Sequence, residues 1–254
     1  MLIHNIKIQL LLLIISFGQV TVTMAAPVDG NTTIDSFNKA KKYNERHVYN
    51  DHRVTLYCGA TFNKQKKVYF PAGFKTDKYK KRQKKIEWEH VVPAENFGRT
   101  FKEWREGHSA CINKKGKAFK GRRCAEKINK EYRFLQADMH NLFPAIGAVN
   151  AMRSNYNFTM LPGLENSFGS CEMKIGKSKA EPPLRSRGRI ARTYKYMDSV
   201  YSRYNMSRQQ RQLMDAWDKM YPVNQWECTR ARRIEKVQGN PNLVVLSRCS
   251  NQNL

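Results

Sequence analysis

Six cysteines constrain this chain more than any other feature, because all of them follow an apolar leader. Lys7 precedes an almost unbroken apolar run from Ile8 to Phe17, small residues follow at Thr23-Met24-Ala25, and Pro27 closes the segment. That order predicts a secretory signal over residues 1–25. The run is too short for a bilayer core, which takes about 20 residues, so no stable membrane association is expected once the signal is removed. Cys58, Cys111, Cys124, Cys171, Cys228 and Cys249 then lie in an exported chain, and their even number predicts three disulfides. Cys111–Cys124 closes the shortest loop and is the favoured pair. No Cys-x-x-Cys occurs, and His108 beside Cys111 is too little for a closed zinc site.

Charge narrows the partner. The chain has 46 Lys+Arg against 21 Asp+Glu, a formal net charge of +25. The signal carries only Lys7, so the rest keeps 45 against 21, or +24. Aromatics at 11% exclude a disordered polycation, and a mean hydropathy of -0.70 excludes a multi-span membrane protein. A folded domain with this self-repulsion points to a polyanion: nucleic acid, an anionic membrane or a glycan.

The chain reads as one α+β domain over 26–254, without repeats. Asp35–Tyr49 predicts a helix. Arg53–Cys58 and Lys67–Phe70 predict a hairpin, and Ile86–Val92 predicts a strand ended by Pro93. Residues 105–133 read as a long loop excursion. Asp138–Phe143 predicts a strand with Pro144 opening a turn, then a helix over Ala148–Tyr156 and a strand over Phe158–Leu161. Residues 176–187 read as a surface loop. Helices are expected over Gly188–Tyr204, from Ser207 to Met220, and over Gln225–Val237, the last ended by Gly239-Asn240-Pro241.

Two segments carry chemistry. Ile86-Glu87-Trp88-Glu89-His90-Val91-Val92-Pro93-Ala94 sets a carboxylate beside an imidazole. Asp138-Met139-His140-Asn141-Leu142-Phe143-Pro144-Ala145-Ile146-Gly147-Ala148-Val149-Asn150 runs from an Asn-Leu-x-Pro turn into a helix. Phosphodiester hydrolysis needs a proton acceptor for water and a hard cation against the phosphate. His90 supplies the base, while the Glu89 and Asn150 oxygens suit Mg²⁺, with Mn²⁺ or Ca²⁺ as other candidates. Neighbours on a regular strand face opposite sides. Glu89 and His90 therefore share a site only if the strand ends, bulges or bends there. Other groups read as structural: Trp88 as core, His140 as a hydrogen-bonded histidine, and His47, His52 and His108 as surface.

Together, Glu-Trp-Glu-His-Val-Val-Pro-Ala at 87–94 and His-Asn-Leu-x-Pro-Ala-Ile-Gly-x-Val-Asn-x-x-Arg-Ser-Asn at 140–155 resemble the bacterial endonuclease I family of exported nucleases. Arg187-Gly188-Arg189-Ile190-Ala191-Arg192 and Trp226-Glu227 fit as well. The resemblance implies a ββα-metal (His-Me finger) core with long loops and a helical C-terminal part. It implies a periplasmic or secreted, monomeric, non-sequence-specific Mg²⁺ endonuclease that cuts DNA, and also RNA, to 5′-phosphate ends. Carried onto this chain, His90 is the general base, Glu89 and Asn150 hold the metal, and Arg122 or Arg123 holds the cleaved phosphate. Some relatives carry Glu just before the second motif where this chain has Gln136, which removes an acid there. Two other readings predict different behaviour. A non-catalytic nucleic-acid binder would not depend on Glu89, His90 or Asn150, and a membrane-active protein would need an exposed amphipathic basic helix.

Overall fold

The computed structural model describes residues 29–254. The expected signal at 1–25 lies outside them. No described helix is long and apolar enough to cross a membrane.

The architecture is α+β, with short strands among helices. Helix α1 (Phe37–Tyr43) runs into one π-helical turn to Val48. Strands β1 (Thr61–Phe62) and β2 (Val68–Tyr69) form a small hairpin. The expected first hairpin strand at 53–58 is absent. Only Val54 bridges to Thr61, and Cys58 is tied to Cys171 by a disulfide, so this stretch is shaped by the cross-link and not by a ladder.

The central unit is β3 (Ile86–His90), antiparallel to β4 (Leu142–Ile146), with α6 (Gly147–Arg153) following at once. Trp88 pairs with Pro144, so Pro144 sits in mid-strand and does not open a turn. Proline is tolerated because this sheet has only two strands, leaving β4 an outer side that needs no donor. The Pro144 carbonyl accepts the Leu56 N–H at 2.8 Å. Gly147 admits no side chain: a Cβ there would lie 2.4 Å from the Arg82 carbonyl oxygen. The close approach of the basic 82–84 turn to the start of α6 therefore requires glycine.

The segment at 105–133 is more ordered than expected. It contains α3's last residue (Lys102–Arg105), α4 (Arg122–Ile128) and the start of α5 (Lys130–Ala137), behind α2 (Ala94–Gly98). Asn129 lacks the periodic apolar signal of a helix start, yet its side chain accepts the Tyr132 N–H and caps α5. The expected Cys111–Cys124 bond is present.

Likewise, 176–187 is not all loop. Strand β5 (Asn157–Phe158) pairs in parallel with β7 (Lys179–Glu181), which pairs antiparallel with β6 (Lys174–Gly176). The C-terminal part is helical: α7 (Leu184–Val200), α8 (Arg208–Met220), α9 (Gln225–Gln238) and α10 (Leu243–Asn251). Sequence periodicity missed α10, which Cys228–Cys249 locks against α9. All six cysteines are thus paired.

These helices grip the segment before β4. Buried Asp138 accepts hydrogen bonds from the His140 N–H, Gln238 Nε2, and the Tyr196 and Tyr201 hydroxyls at 2.6–3.0 Å. The Arg230 guanidinium donates to the carbonyls of Met139, His140 and Leu142 and to the Tyr49 hydroxyl. His140 is fully buried against Tyr196 and bonded to the Asn240 carbonyl, the structural part expected of it.

Candidate active site

Strand β3 stops at His90 and the chain bends at Val91-Val92, two residues sooner than expected. Asn141 holds the bend by imitating a strand partner. Its Oδ1 accepts the Val92 N–H at 2.8 Å, its Nδ2 donates to the Val92 carbonyl at 3.0 Å, and its own carbonyl accepts the Val91 N–H. This early end answers the alternation problem: Glu89 and His90 line the same 310 Å³ cavity. Arg122 and Asn150 line it too, with Trp104, Glu95, Ser154 and Asn155 on its walls.

His90 is buried against the Phe37 ring at 4.9 Å. Its Nε2 lies 2.8 Å from the Gln136 carbonyl. A carbonyl only accepts, so Nε2 carries the hydrogen and Nδ1 keeps the lone pair. Burial, reinforced by the Arg122 charge, pushes the imidazole down to about 3 and keeps it neutral. Glu89 is 2% exposed. Its Oε1 accepts from the Tyr57 hydroxyl at 2.6 Å and Arg153 Nη1 at 2.7 Å, whereas Oε2 takes no hydrogen bond from the described residues. Burial pushes this carboxyl up, while the Arg153 charge acts against that rise.

Asn150 is aimed by Glu87. Its Nδ2 donates to Glu87 Oε2 at 2.8 Å, which leaves Oδ1 as the atom without a partner. Glu87 is fixed in turn by the Arg82 fork, with Nε at 2.7 Å and Nη2 at 2.5 Å. Two hard oxygens, Glu89 Oε2 and Asn150 Oδ1, therefore face one cavity without protein donors. Among the described residues no cluster of three His, Cys, Asp or Glu could hold a metal. The donor set fits a hard cation that keeps most of its water, as Mg²⁺ does, and not zinc.

Arg122 opens α4 inside the loop that Cys111–Cys124 closes, two residues before Cys124. Its Nε donates to the Gln136 side chain at 3.3 Å, and its Nη2 is buried without a protein partner. No carboxylate pairs with it among the described residues, since Gln136 is neutral. A guanidinium that lines a cavity without a carboxylate partner is suited to a phosphate. Arg123 lies outside this cavity, exposed and stacked 4.8 Å from the Phe119 ring.

Several residues that build the site escape the motif reading. Arg153 is fully buried and donates from Nη1 to the His90 carbonyl, from Nη2 to the Val91 carbonyl and from Nε to the Tyr156 carbonyl. Arg153 and Asn155 do stand within the second motif, so a signal existed for them. Nothing in the sequence around Tyr57 marks it.

The Endonuclease I family model matches residues 28–246. The chain is 40% identical to an extracellular deoxyribonuclease of Aeromonas hydrophila over 218 residues, 83% of this chain and 89% of the relative. A periplasmic deoxyribonuclease of the same organism is 40% identical over 209 residues, covering 80% and 82%. Endonuclease-1 of Buchnera aphidicola subsp. Acyrthosiphon pisum (strain APS) is 39% identical over 224 residues, covering 85% and 83%. With residues 28–246 matched by the family model and relatives of about 40% identity aligned along most of their length, the chain belongs to the endonuclease I family of nucleases.

Proposed function

We propose that the protein is an exported, monomeric, metal-dependent endonuclease that hydrolyses DNA, and RNA as well, without sequence specificity, leaving 5′-phosphate ends. On this reading β3, β4 and α6 are its ββα-metal unit, residues 1–25 its signal and 26–254 its single nuclease domain. Export to the periplasm or the medium accords with the relatives named for those compartments. The observation that carries the proposal is the shared cavity: His90, Glu89, Asn150 and Arg122 all line it, and His90 is held by Nε2 so that Nδ1 is the free acceptor.

The roles follow from that arrangement. Arg122, which lines the cavity without a carboxylate partner, binds a non-bridging phosphate oxygen through its guanidinium. His90 Nδ1 takes the proton of the attacking water, and Nε2–H on the Gln136 carbonyl keeps the ring from turning. Glu89 and Asn150 hold the divalent ion, Mg²⁺ foremost, with Mn²⁺ or Ca²⁺ as substitutes. That ion supplies charge neutralisation on the phosphate and the leaving 3′ oxygen. Arg153 and Glu87 are positioning residues, for Glu89 and for Asn150. The charge of +25 gives backbone binding without base readout, so affinity falls as salt rises.

A plasmid-nicking assay tests the reading. Wild type is expected to nick supercoiled DNA, to stop in EDTA and to recover with excess Mg²⁺. His90→Ala is expected to lose about 10²–10⁴ in rate while still binding DNA. Cutting that persists in EDTA, or full activity in His90→Ala, overturns the mechanism.

A further inference from the structure

A second cavity, of 350 Å³, adjoins the first, and Ser154 lines both. Its walls include Lys78, Tyr79, Tyr156, Lys177 and Ser178. Three features set it apart. No carboxylate lines it, and neither Lys78 nor Lys177 has an acidic partner among the described residues. Tyr79 is 48% exposed, an aromatic ring left beside solvent in a basic run. The backbone is also held in an unusual way. Six described residues other than glycine have positive φ, and four of them line this cavity: Tyr79 (54°), Ser154 (53°), Lys177 (50°) and Ser178 (56°). A bulky residue in the left-handed region is disfavoured and persists where its surroundings enforce it. Here the Tyr79 carbonyl accepts the N–H groups of Arg82 and Gln83, which pins the turn.

We propose that this cavity is a stacking subsite for one unpaired base of the polynucleotide strand, next to the phosphate held by Arg122. Tyr79 offers the ring face, and Lys78 and Lys177 take a flanking phosphate. The spacing suits this. Asn150 in the first cavity and Ser154, shared by both, are about one helical turn apart, ~5.4 Å, or one to two base steps of ~3.4 Å. Stacking on an aromatic ring tolerates any base but needs the base out of its pair, so the subsite favours single-stranded or locally opened nucleic acid. The ring also lies 5.6 Å from the Arg82 guanidinium, and Arg82 holds Glu87, which holds Asn150. A base seated there touches the relay that aims a metal ligand. The inference rests on the nuclease reading above, and the test separates the two.

Binding of a short labelled oligothymidine and of a hairpin duplex is measured by fluorescence anisotropy in EDTA, where no turnover is expected. Tyr79→Asn removes the ring but suits the left-handed backbone, so its thermal midpoint is expected to match or exceed wild type. Its Kd for oligothymidine is expected to rise about five- to hundredfold, the range of one base on one ring. Its Kd for the duplex is expected to stay within about twofold, since stacking needs an unpaired base. Tyr79→Phe keeps the face and is expected to bind as wild type. Lys78→Gln with Lys177→Gln is expected to lower the salt slope for the oligonucleotide by about 0.7 for each phosphate that is no longer neutralised. Equal oligothymidine affinity in wild type and Tyr79→Asn overturns the subsite, as do equal losses on both substrates. Neither outcome touches the nuclease reading, which fails instead if nicking survives EDTA.

Discussion

Replacing Arg153 by Met tests the idea that one buried cation holds the end of the catalytic strand. Its side chain is 1% exposed and the Glu89 carboxylate opposite is 3% exposed. Removing Arg153 leaves an ionised carboxylate buried without its counter-charge, which costs about 3–5 kcal/mol. It also strips the donors from the carbonyls of His90, Val91 and Tyr156. Each orphaned acceptor costs about 1 kcal/mol. The sum, about 6–8 kcal/mol, is a large share of the 5–15 kcal/mol that a typical domain commands. At about 2–4 °C per kcal/mol for a chain of this size, the midpoint is expected to fall by roughly 12–30 °C. Met fills similar volume, so the loss is one of charge and hydrogen bonding. The decisive arm is Glu89→Gln with Arg153→Met. Gln still accepts from Tyr57, and the unpaired charge is gone, so about 3 kcal/mol should return. Urea unfolding followed by circular dichroism, with the disulfides kept oxidised, gives the full double-mutant cycle. A single variant within about 1 kcal/mol of wild type, or a double variant no more stable than the single, would refute the reasoning.

Further outcomes are expected. Burial holds His140 down to about 4, so the unfolded chain takes up a proton that the folded chain refuses. The folded value is depressed, so stability is present above about 6.5 and is lost as pH falls towards 4. Wild type should lose about 3 kcal/mol more than His140→Asn over that window, and parallel pH curves would contradict it. Glu87→Gln should raise the Mg²⁺ concentration for half-maximal nicking about 10–100-fold by loosening Asn150, and an unchanged Mg²⁺ titration would exclude that positioning role. Cys111→Ser with Cys124→Ser opens a loop of sequence separation 13 and should cost about 3 kcal/mol. Cys58→Ser with Cys171→Ser opens one of separation 113 and should cost more, about 4–5 kcal/mol. The reverse order in guanidinium melts would count against a loop-entropy origin.

How much of this was legible beforehand depended on whether the cause was local. Glu89, His90 and Asn150 stand in contiguous motifs, and Trp88 in the core and Cys111–Cys124 as a pair were also readable. Arg122 was open against Arg123 because the loop between the motifs has no fixed register, and only the folding of α4 directs one of them into the cavity. The opposite-faces difficulty was solved by Asn141, whose side chain ends β3 from a distance of 49 residues. Such a contact leaves no periodic trace. Of the stretches misread, 53–58 is apolar but shaped by the Cys58–Cys171 cross-link, whereas 105–133 and 176–187 are polar and fold into short elements that caps and cross-links fix more than hydrophobic pattern does. Helix α10 went unread for the same reason, since a disulfide and not a long apolar stripe fixes it.

The clamps on the segment before β4 bear on when this enzyme can first cut. Asp138, the carbonyls of Met139, His140 and Leu142, and the His140 ring are held by Tyr196, Tyr201, Arg230, Gln238 and Asn240, partners 58 to 100 positions further along. A chain still emerging from the ribosome can display both catalytic motifs and yet lack every one of those partners. Contacts so distant close late, after the intervening chain is made and its loop entropy has been overcome. Synthesis order alone therefore delays the assembly of this segment until the last helices are out.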